Sequence, residues 1–340
     1  MSLSKISKTF WLILMLALGM YILMFPKTAI TSCYASINNC LVSIIPSLFA
    51  FMVITTFLLR SGLYYYLFLP LKPIGKYIFH MSYDVFSIFL LSQIGGFPVG
   101  AKLLNEAVQN SSINKKYANQ LLGCCFCSGP SFVIGVISIK LYGNIFIGAL
   151  IYISIFLSNC VIAIIVGIKN KNCLQNNKPI ISVNEKILIE SVNSSSVALF
   201  KVCSMIVFFS VIISAVNIIL KNEILFGMLE VSTIGQSRLP AYLISALLSF
   251  GGICVIFQIV SLFNEMESVI KFIFIRITAA AISGSISYLL LFVFKSKLSS
   301  YVFSNFSTPI LSNNSNPIPS FMLVIMTLIL LKSTYSNNAQ

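Results

Sequence analysis

Apolar runs separated by short polar stretches extend along nearly the whole chain. A helix needs about 20 mostly apolar residues to cross a hydrocarbon core of roughly 30 Å. Runs of that kind fall near residues 10–30, 40–59, 119–140, 144–168, 199–220, 271–294 and, in a shorter form, 319–334. Two less regular segments, 84–107 and 240–265, carry a glycine pair near the middle, a design that suits helical hairpins or broken helices dipping into the membrane. Segments 63–79 and 223–238 mix turn residues and charges and read as interfacial or partly inserted helices. The stretch from Lys169 to Lys186, with several asparagines and Pro179, reads as a cytoplasmic linker between two halves.

The two halves look alike at their glycine breaks. Leu90-Leu91-Ser92 leads into Gly95-Gly96-Phe97-Pro98, and Ser128-Gly129-Pro130 follows. Leu247-Leu248-Ser249 leads into Gly251-Gly252, and Ser283-Gly284-Ser285 follows at nearly the same spacing. Broken backbone at membrane depth is tolerated only against protein or a wet cavity. Paired breaks in two halves of one chain point to the central site of a transporter. With one half entering the membrane in the opposite sense to the other, the expected fold class is all-α: a polytopic helical membrane protein with two inverted repeats containing broken or hairpin helices.

Composition sharpens this reading. Of 340 residues 58% are hydrophobic and only 9% charged, with mean hydropathy +0.96, whereas soluble domains carry about 25% charged residues. The net charge of +14 comes from basic residues scattered singly at the ends of apolar runs, which is how interfacial anchors are placed. Nucleic acid is therefore not an expected partner. Lys5 and Lys8 before the first apolar run give it the look of a signal peptide, but Pro26-Lys27 resumes into membrane sequence and the run reads as an uncleaved first span. Among nine cysteines, the cluster Cys124, Cys125 and Cys127 lacks histidine partners and reads as membrane-helix packing. The lone His80 reads as an interfacial side chain, and no metal or other cofactor is called for.

Pro98 and Pro130 each follow a glycine break, and proline suits the first helical turn. Short helices are expected to start there, with free amides at 96–99 and 128–131. A helix N-terminus attracts anions, so two such termini meeting at mid-membrane would hold a carboxylate. The expected substrate-binding residues are Gly95, Gly96, Pro98, Lys102, Ser128, Gly129, Pro130, Ser249, Gly251, Gly252, Ser283 and Gly284. Lys102 lies one turn beyond Pro98 and could meet a substrate carboxylate, snorkel to the interface or pair with Glu106. Glu230 is the ion-coupling candidate, or else neutralises Lys102 or Arg238. Arg276 reads as an interfacial anchor or a cavity-lining residue, and Asp84 as a helix cap. No metalloprotease motif, P-loop or nucleophile elbow occurs, and carboxylates number only eight. Enzymatic activity is not expected.

The run Gly95-Gly96-Phe97-Pro98-Val99-Gly100-Ala101-Lys102, followed by Cys127-Ser128-Gly129-Pro130, resembles the sporulation integral membrane proteins of the YlbJ type, within the nucleoside-recognition or Gate domain group. Those proteins typically show G-[YF]-P-x-G-A-[KR] and later a stretch ending in S-G-P. The second half fits more loosely, through Leu229-Glu230-Val231-Ser232-Thr233 and Ser249-Phe250-Gly251-Gly252. The likeness spans roughly residues 40–290. Cys124-Cys125-Phe126-Cys127 replaces an asparagine-flavoured stretch, and only Gln258 is polar in the run after Gly252. On this resemblance, residues 1–39 form an N-terminal span, 40–168 a first Gate-like repeat, 169–198 a polar linker and amphipathic lead-in, and 199–340 a second Gate-like repeat with a C-terminal span. The resemblance implies endospore formation, an architecture like concentrative nucleoside transporters, and movement of dipicolinate across the outer forespore membrane of a bacterium. The expected partners are a small anionic substrate, the lipid bilayer, a coupling proton or sodium ion, and a second copy of the chain in a homo-oligomer. The alternatives are a non-transporting scaffold or sensor in spore envelope assembly and a nucleoside carrier.

Overall fold

The structure, a computed structural model, describes residues 3–170, 181–264 and 266–294; the linker centre and the apolar run at 319–334 lie outside them. Every regular element among the described residues is helical. Among the described residues five stretches are long and apolar enough to cross a membrane: Pro26–Ser61, Ile145–Lys169, Glu185–Ile219, Ala241–Leu262 and Val269–Val293. A helix satisfies its own backbone within lipid, and this is an all-α, polytopic integral membrane protein.

The first helix, α1 (Leu3–Met24), stops at Phe25, and Pro26 opens α2 (Pro26–Asn39), so the apolar run expected near 10–30 is broken by its proline. A π-wound turn, Cys40–Ile44, joins α2 to α3 (Ile45–Ser61). Short helices follow: α4 (Tyr64–Leu67), a 3-10 turn at Leu69–Leu71 and α5 (Lys72–Tyr77), in keeping with an interfacial segment. Next comes the first glycine break. Helix α6 (Tyr83–Gly95) ends at Gly96, whose φ of 89° lies in the left-handed region that favours glycine, and α7 (Phe97–Gln109) starts with Pro98 in its first turn. The pair folds back on itself: a Cβ added at Gly100 would lie 3.1 Å from the Ser92 Cβ across the turn. Both far ends return to the end of α3, where Tyr64 donates to Asp84 at 2.9 Å and Arg60 to Glu106. Asp84 thus accepts from a tyrosine rather than capping its helix.

The next span is unwound in its middle. Helix α8 (Lys115–Leu121) gives way to an irregular stretch over 122–129. A new helix begins at Pro130, is π-wound over Ser131–Ser138 and ends as α9 (Ile139–Tyr142). Helices therefore begin at both expected prolines. Helix α10 (Ile145–Lys169) returns across the membrane. Helix α11 (Glu185–Ile219), capped by Asn184, starts well before the expected 199 and takes in the lead-in to that span.

Helix α12 (Glu223–Leu229) and a 3-10 turn (Val231–Gln236) precede α13 (Ala241–Phe250), α14 (Gly252–Leu262) and α15 (Val269–Val293). Gly251 and Gly252, with φ of 86° and 80°, break the helix between α13 and α14. This break bends the span without reversing it. Helix α13 packs on α15, whereas α14 diverges to pack on α7 and α11, and Asn264, just beyond α14, reaches Asn105 in the last turns of α7. The sequence-expected break at Ser283-Gly284-Ser285 does not exist: α15 runs straight through it. Gly284 instead admits Ala246 and the Tyr242 carbonyl from α13, and Ser283 pairs with Ser245 at 2.7 Å. The two sets of elements are therefore not mirror copies at these rungs.

Side chains assign the two faces. Arg60, Lys116, Lys169, Glu190 and Lys271 share the face where α3 ends and α11 and α15 begin, while Lys140, Lys221 and Arg238 lie on the other. The positive-inside rule gives the basic-rich face as the one expected on the cytoplasmic side. Phe294 meets Phe146 edge to face, 5.6 Å between ring centres, so α15 ends on the opposite face from the linker.

Gly100 provides a direct check of the hairpin. An added Cβ there would collide with the Cys125 carbonyl of the unwound stretch, whereas one on Gly135 meets nothing within 4 Å. Gly100→Ala should lower the melting temperature of the detergent-purified protein by several degrees or abolish its accumulation. Gly135→Ala should leave it unchanged or raise it, since alanine is favoured over glycine in a helix by about 1 kcal/mol. Equal behaviour of the two variants would contradict the close approach of residue 100 to residue 125.

Candidate functional site

Three pieces of irregular backbone meet in the middle of the bundle: the turn at Gly96, the unwound stretch 122–129 and the bend at Gly251-Gly252. Gly96 and Gly129 lie against one another, an added Cβ on Gly96 standing 3.6 Å from the Gly129 amide nitrogen. Phe126 fills the space between breaks, 4.7 Å from Phe97 ring to ring and against Gly251. At this depth a carbonyl without a partner costs several kcal/mol, so the partners of the freed groups decide whether the arrangement holds.

One connected set of side chains supplies them. Arg276, two turns into α15 and 0% exposed, donates Nη1 to the Gly123 carbonyl at 2.7 Å and to Asn159 Oδ1 at 3.1 Å. Its Nε and Nη2 donate to the Ser249 carbonyl, and Nη2 also reaches Ser249 Oγ at 3.2 Å. The guanidinium lies over the Phe126 ring, 4.4 Å from its centre, an attractive placement for a desolvated cation. Asn159, on α10, donates to the Phe126 carbonyl at 3.0 Å and to Gln93 Oε1 at 2.9 Å. Gln93, on α6, donates to the Cys124 carbonyl at 3.1 Å. Ser128 Oγ donates to the Leu248 carbonyl at 3.1 Å. Arg276, Asn159 and Gln93 thus tie both glycine breaks to the unwound stretch. No carboxylate stands among the described partners of Arg276.

A small cavity of about 40 Å³ opens beside the Gly96–Gly129 contact, lined by Leu48, Pro98, Gly129, Val202, Glu230 and Gln258 among others. It has room for water and little more. Glu230, 3% exposed, accepts from the Ser232 amide at 2.9 Å and from the Ser232 hydroxyl. It caps the 3-10 turn at 231–236 and pairs with neither Lys102 nor Arg238. Lys102 is 7% exposed; its Nζ donates to Thr56 Oγ1 at 2.9 Å and Ser195 Oγ at 3.0 Å. It neither snorkels nor pairs with Glu106, which is held by Arg60 through two hydrogen bonds of 2.9 and 3.1 Å.

Of the sequence-expected site residues, Pro98, Gly129 and Glu230 line the cavity, Gly95 and Gly96 form the turn beside it, and Pro130 opens the adjoining helix. Ser128, Ser249, Gly251 and Gly252 belong to the packed junction of the breaks. Lys102 sits one turn from the cavity. Ser283 and Gly284 lie in the contact of α15 with α13 and do not line it. Sequence reasoning missed Gln93, Asn159, Thr56 and Ser195, and of its two readings of Arg276, interfacial anchor or cavity-lining residue, neither is met: the side chain is fully buried in the junction and does not line the cavity. The available signal was an amide side chain inside an otherwise apolar run, as at Leu91-Ser92-Gln93-Ile94 and Leu157-Ser158-Asn159-Cys160.

No family model matches the chain, and no solved structure matches it. Among curated proteins it is similar to the sporulation integral membrane protein YlbJ of Bacillus subtilis, with 23% identity over 247 residues, or 66% of this chain. The match spans 60% of that relative's length. This likeness, together with the apolar helices, supports a YlbJ-like integral membrane protein.

Proposed function

We propose that this chain carries a small organic anion across a membrane during endospore formation, and that dipicolinate is the substrate. The observation that carries the reading is the contact of Gly96 with Gly129 at the edge of a small cavity, where α7 and the helix opened by Pro130, both in the first half of the chain, begin. Helix beginnings favour negative charge, and buried Lys102 and Arg276 add two cations to the surroundings without a carboxylate bound to either. A flat dicarboxylate is complementary to that field. The sporulation setting comes from the name of the bacterial relative, and the outer forespore membrane is the corresponding location.

The cavity has room for little more than water, so transport needs a second state in which α6–α7 and α13–α14 part. Glu230 faces the same cavity, and its negative charge opposes a carboxylate unless a proton or sodium ion accompanies it. We assign Glu230 that coupling role. The small cavity volume is also the observation that favours the rival reading, a non-transporting scaffold of the spore envelope. The apolar residues Ile253, Val255 and Ile256 after the second break leave little for a nucleoside to bond.

Two measurements decide between them. Spores of a deletion strain should contain at least tenfold less dipicolinate, with cortex and coat intact under the microscope. Proteoliposomes of the full chain should take up dipicolinate, and Lys102→Ala should cut the rate at least tenfold at equal protein abundance. Normal spore dipicolinate together with no uptake would leave the scaffold reading.

A further inference from the structure

Helices α3, α7 and α11 meet along a seam that carries a distinct layer of side chains at each of three depths. At the cavity they contribute Leu48, Pro98 and Val202. Towards the cytoplasmic face they contribute Thr56, Lys102 and Ser195, joined by the two bonds of the lysine. Nearest that face they contribute Arg60, Glu106 and Glu190, with Arg60 bonded to Glu106 and 3.5 Å from Glu190. The order is the same on all three helices, so the layers stack from cavity to interface. Burial falls outward along the seam: the Lys102 residue is 7% exposed, the Glu106 side chain 15%, the Arg60 side chain 27% and the Glu190 side chain 49%.

We propose that this seam is the anion path between the cytoplasmic face and the cavity, with Lys102 selecting negative charge and the Arg60–Glu106–Glu190 layer closing it. The inference rests on the carrier reading and assigns its route. A buried ammonium is costly unless it has a close anionic partner. Among the described residues Lys102 bonds to two neutral hydroxyls and no carboxylate, and the carboxylate one turn away is committed to Arg60. An entering carboxylate can take the place of either hydroxyl, whereas a cation meets like charge in a low-dielectric setting. The outer layer is the complementary part. Arg60 holds α7 through Glu106 and α11 through Glu190, so releasing either carboxylate frees one wall of the seam. Arg60 then also becomes the first cation an arriving anion meets.

The test uses the full-length chain in proteoliposomes with Leu48→Cys placed at the cavity, and the parent chain as the blank for its native cysteines. Membrane-impermeant methanethiosulfonate reagents of negative and positive charge report access, each rate being corrected for its reaction with free thiol. With Lys102 present, the anionic reagent should modify position 48 at least tenfold faster than the cationic one. Lys102→Gln should erase that preference, and Glu106→Gln should speed the anionic reagent at least fivefold. Equal rates for the two charges, or a preference that survives Lys102→Gln, would overturn the path, as would an unchanged rate in Glu106→Gln. If Leu48→Cys does not accumulate, Ile206→Cys reports on the same cavity. The outcome is separable from the transport reading. Charge-selective access without dipicolinate uptake would remove the substrate and keep the path, and uptake without charge-selective access would do the reverse.

Discussion

A chain that leaves the helix inside a membrane must find hydrogen bonds for its peptide groups from within the protein, and in this structure the requirement converges on one guanidinium. Arg276 bonds to the carbonyl of Gly123 on one side and that of Ser249 on the other. Asn159 and Gln93 extend the set to the carbonyls of Phe126 and Cys124. Arginine suits this place because its planar fork presents five donors in fixed directions and stays charged. A lysine would bring a single centre to two carbonyls belonging to different elements. The cost is a buried cation with no bound carboxylate, offset by several charge-assisted hydrogen bonds and by the Phe126 ring beneath it.

That arrangement makes the three irregular segments one mechanical unit. The hairpin contributes Gln93, the unwound stretch contributes its carbonyls, and the bend contributes Ser249, all held against α10 and α15. The cavity lies on the far side of the same segments, bordered by Pro98, Gly129 and Glu230. Its other walls are Leu48 on α3 and Val202 and Ile206 on α11, so it can widen either by moving α6–α7 or α14 relative to this junction or by moving α3 or α11 away from it. The neighbouring polar layers on α3, α7 and α11 are the part of the bundle that is partly solvated and held by ion pairs, and so the part that can separate at least cost.

Much of this was legible in the sequence, for physical reasons that can be named. Gly96 and Gly251 could be read as breaks because each interrupts an apolar run, and both adopt backbone that other residues avoid. Pro98 and Pro130 fixed where helices restart. Ser283-Gly284-Ser285 misled because a small residue serves two ends: it permits a break, and it equally permits close packing of unbroken helices. No proline follows it, and that difference from the first half was the available clue. The direction of chain after each break could not be read, because hairpin and bend use the same glycine chemistry. Arg276 could be read only as an interfacial anchor or a cavity-lining residue because it stands near the start of its apolar run; the helix begins at Val269 and the α8 region folds over it, which buries the side chain completely.

Hydrogen exchange followed by mass spectrometry on the detergent-purified chain, with Arg276 intact and as Arg276→Lys and Arg276→Ala, tests this account most directly. Losing the donors leaves buried carbonyls unpaired at a cost of about 1–3 kcal/mol each. Amides at 122–129 and at 249–253 should therefore lose protection together in both variants, by tenfold or more, while α10 keeps its own. Protection retained at both segments in Arg276→Ala, or lost at only one of them, would contradict the claim that a single side chain holds the breaks together.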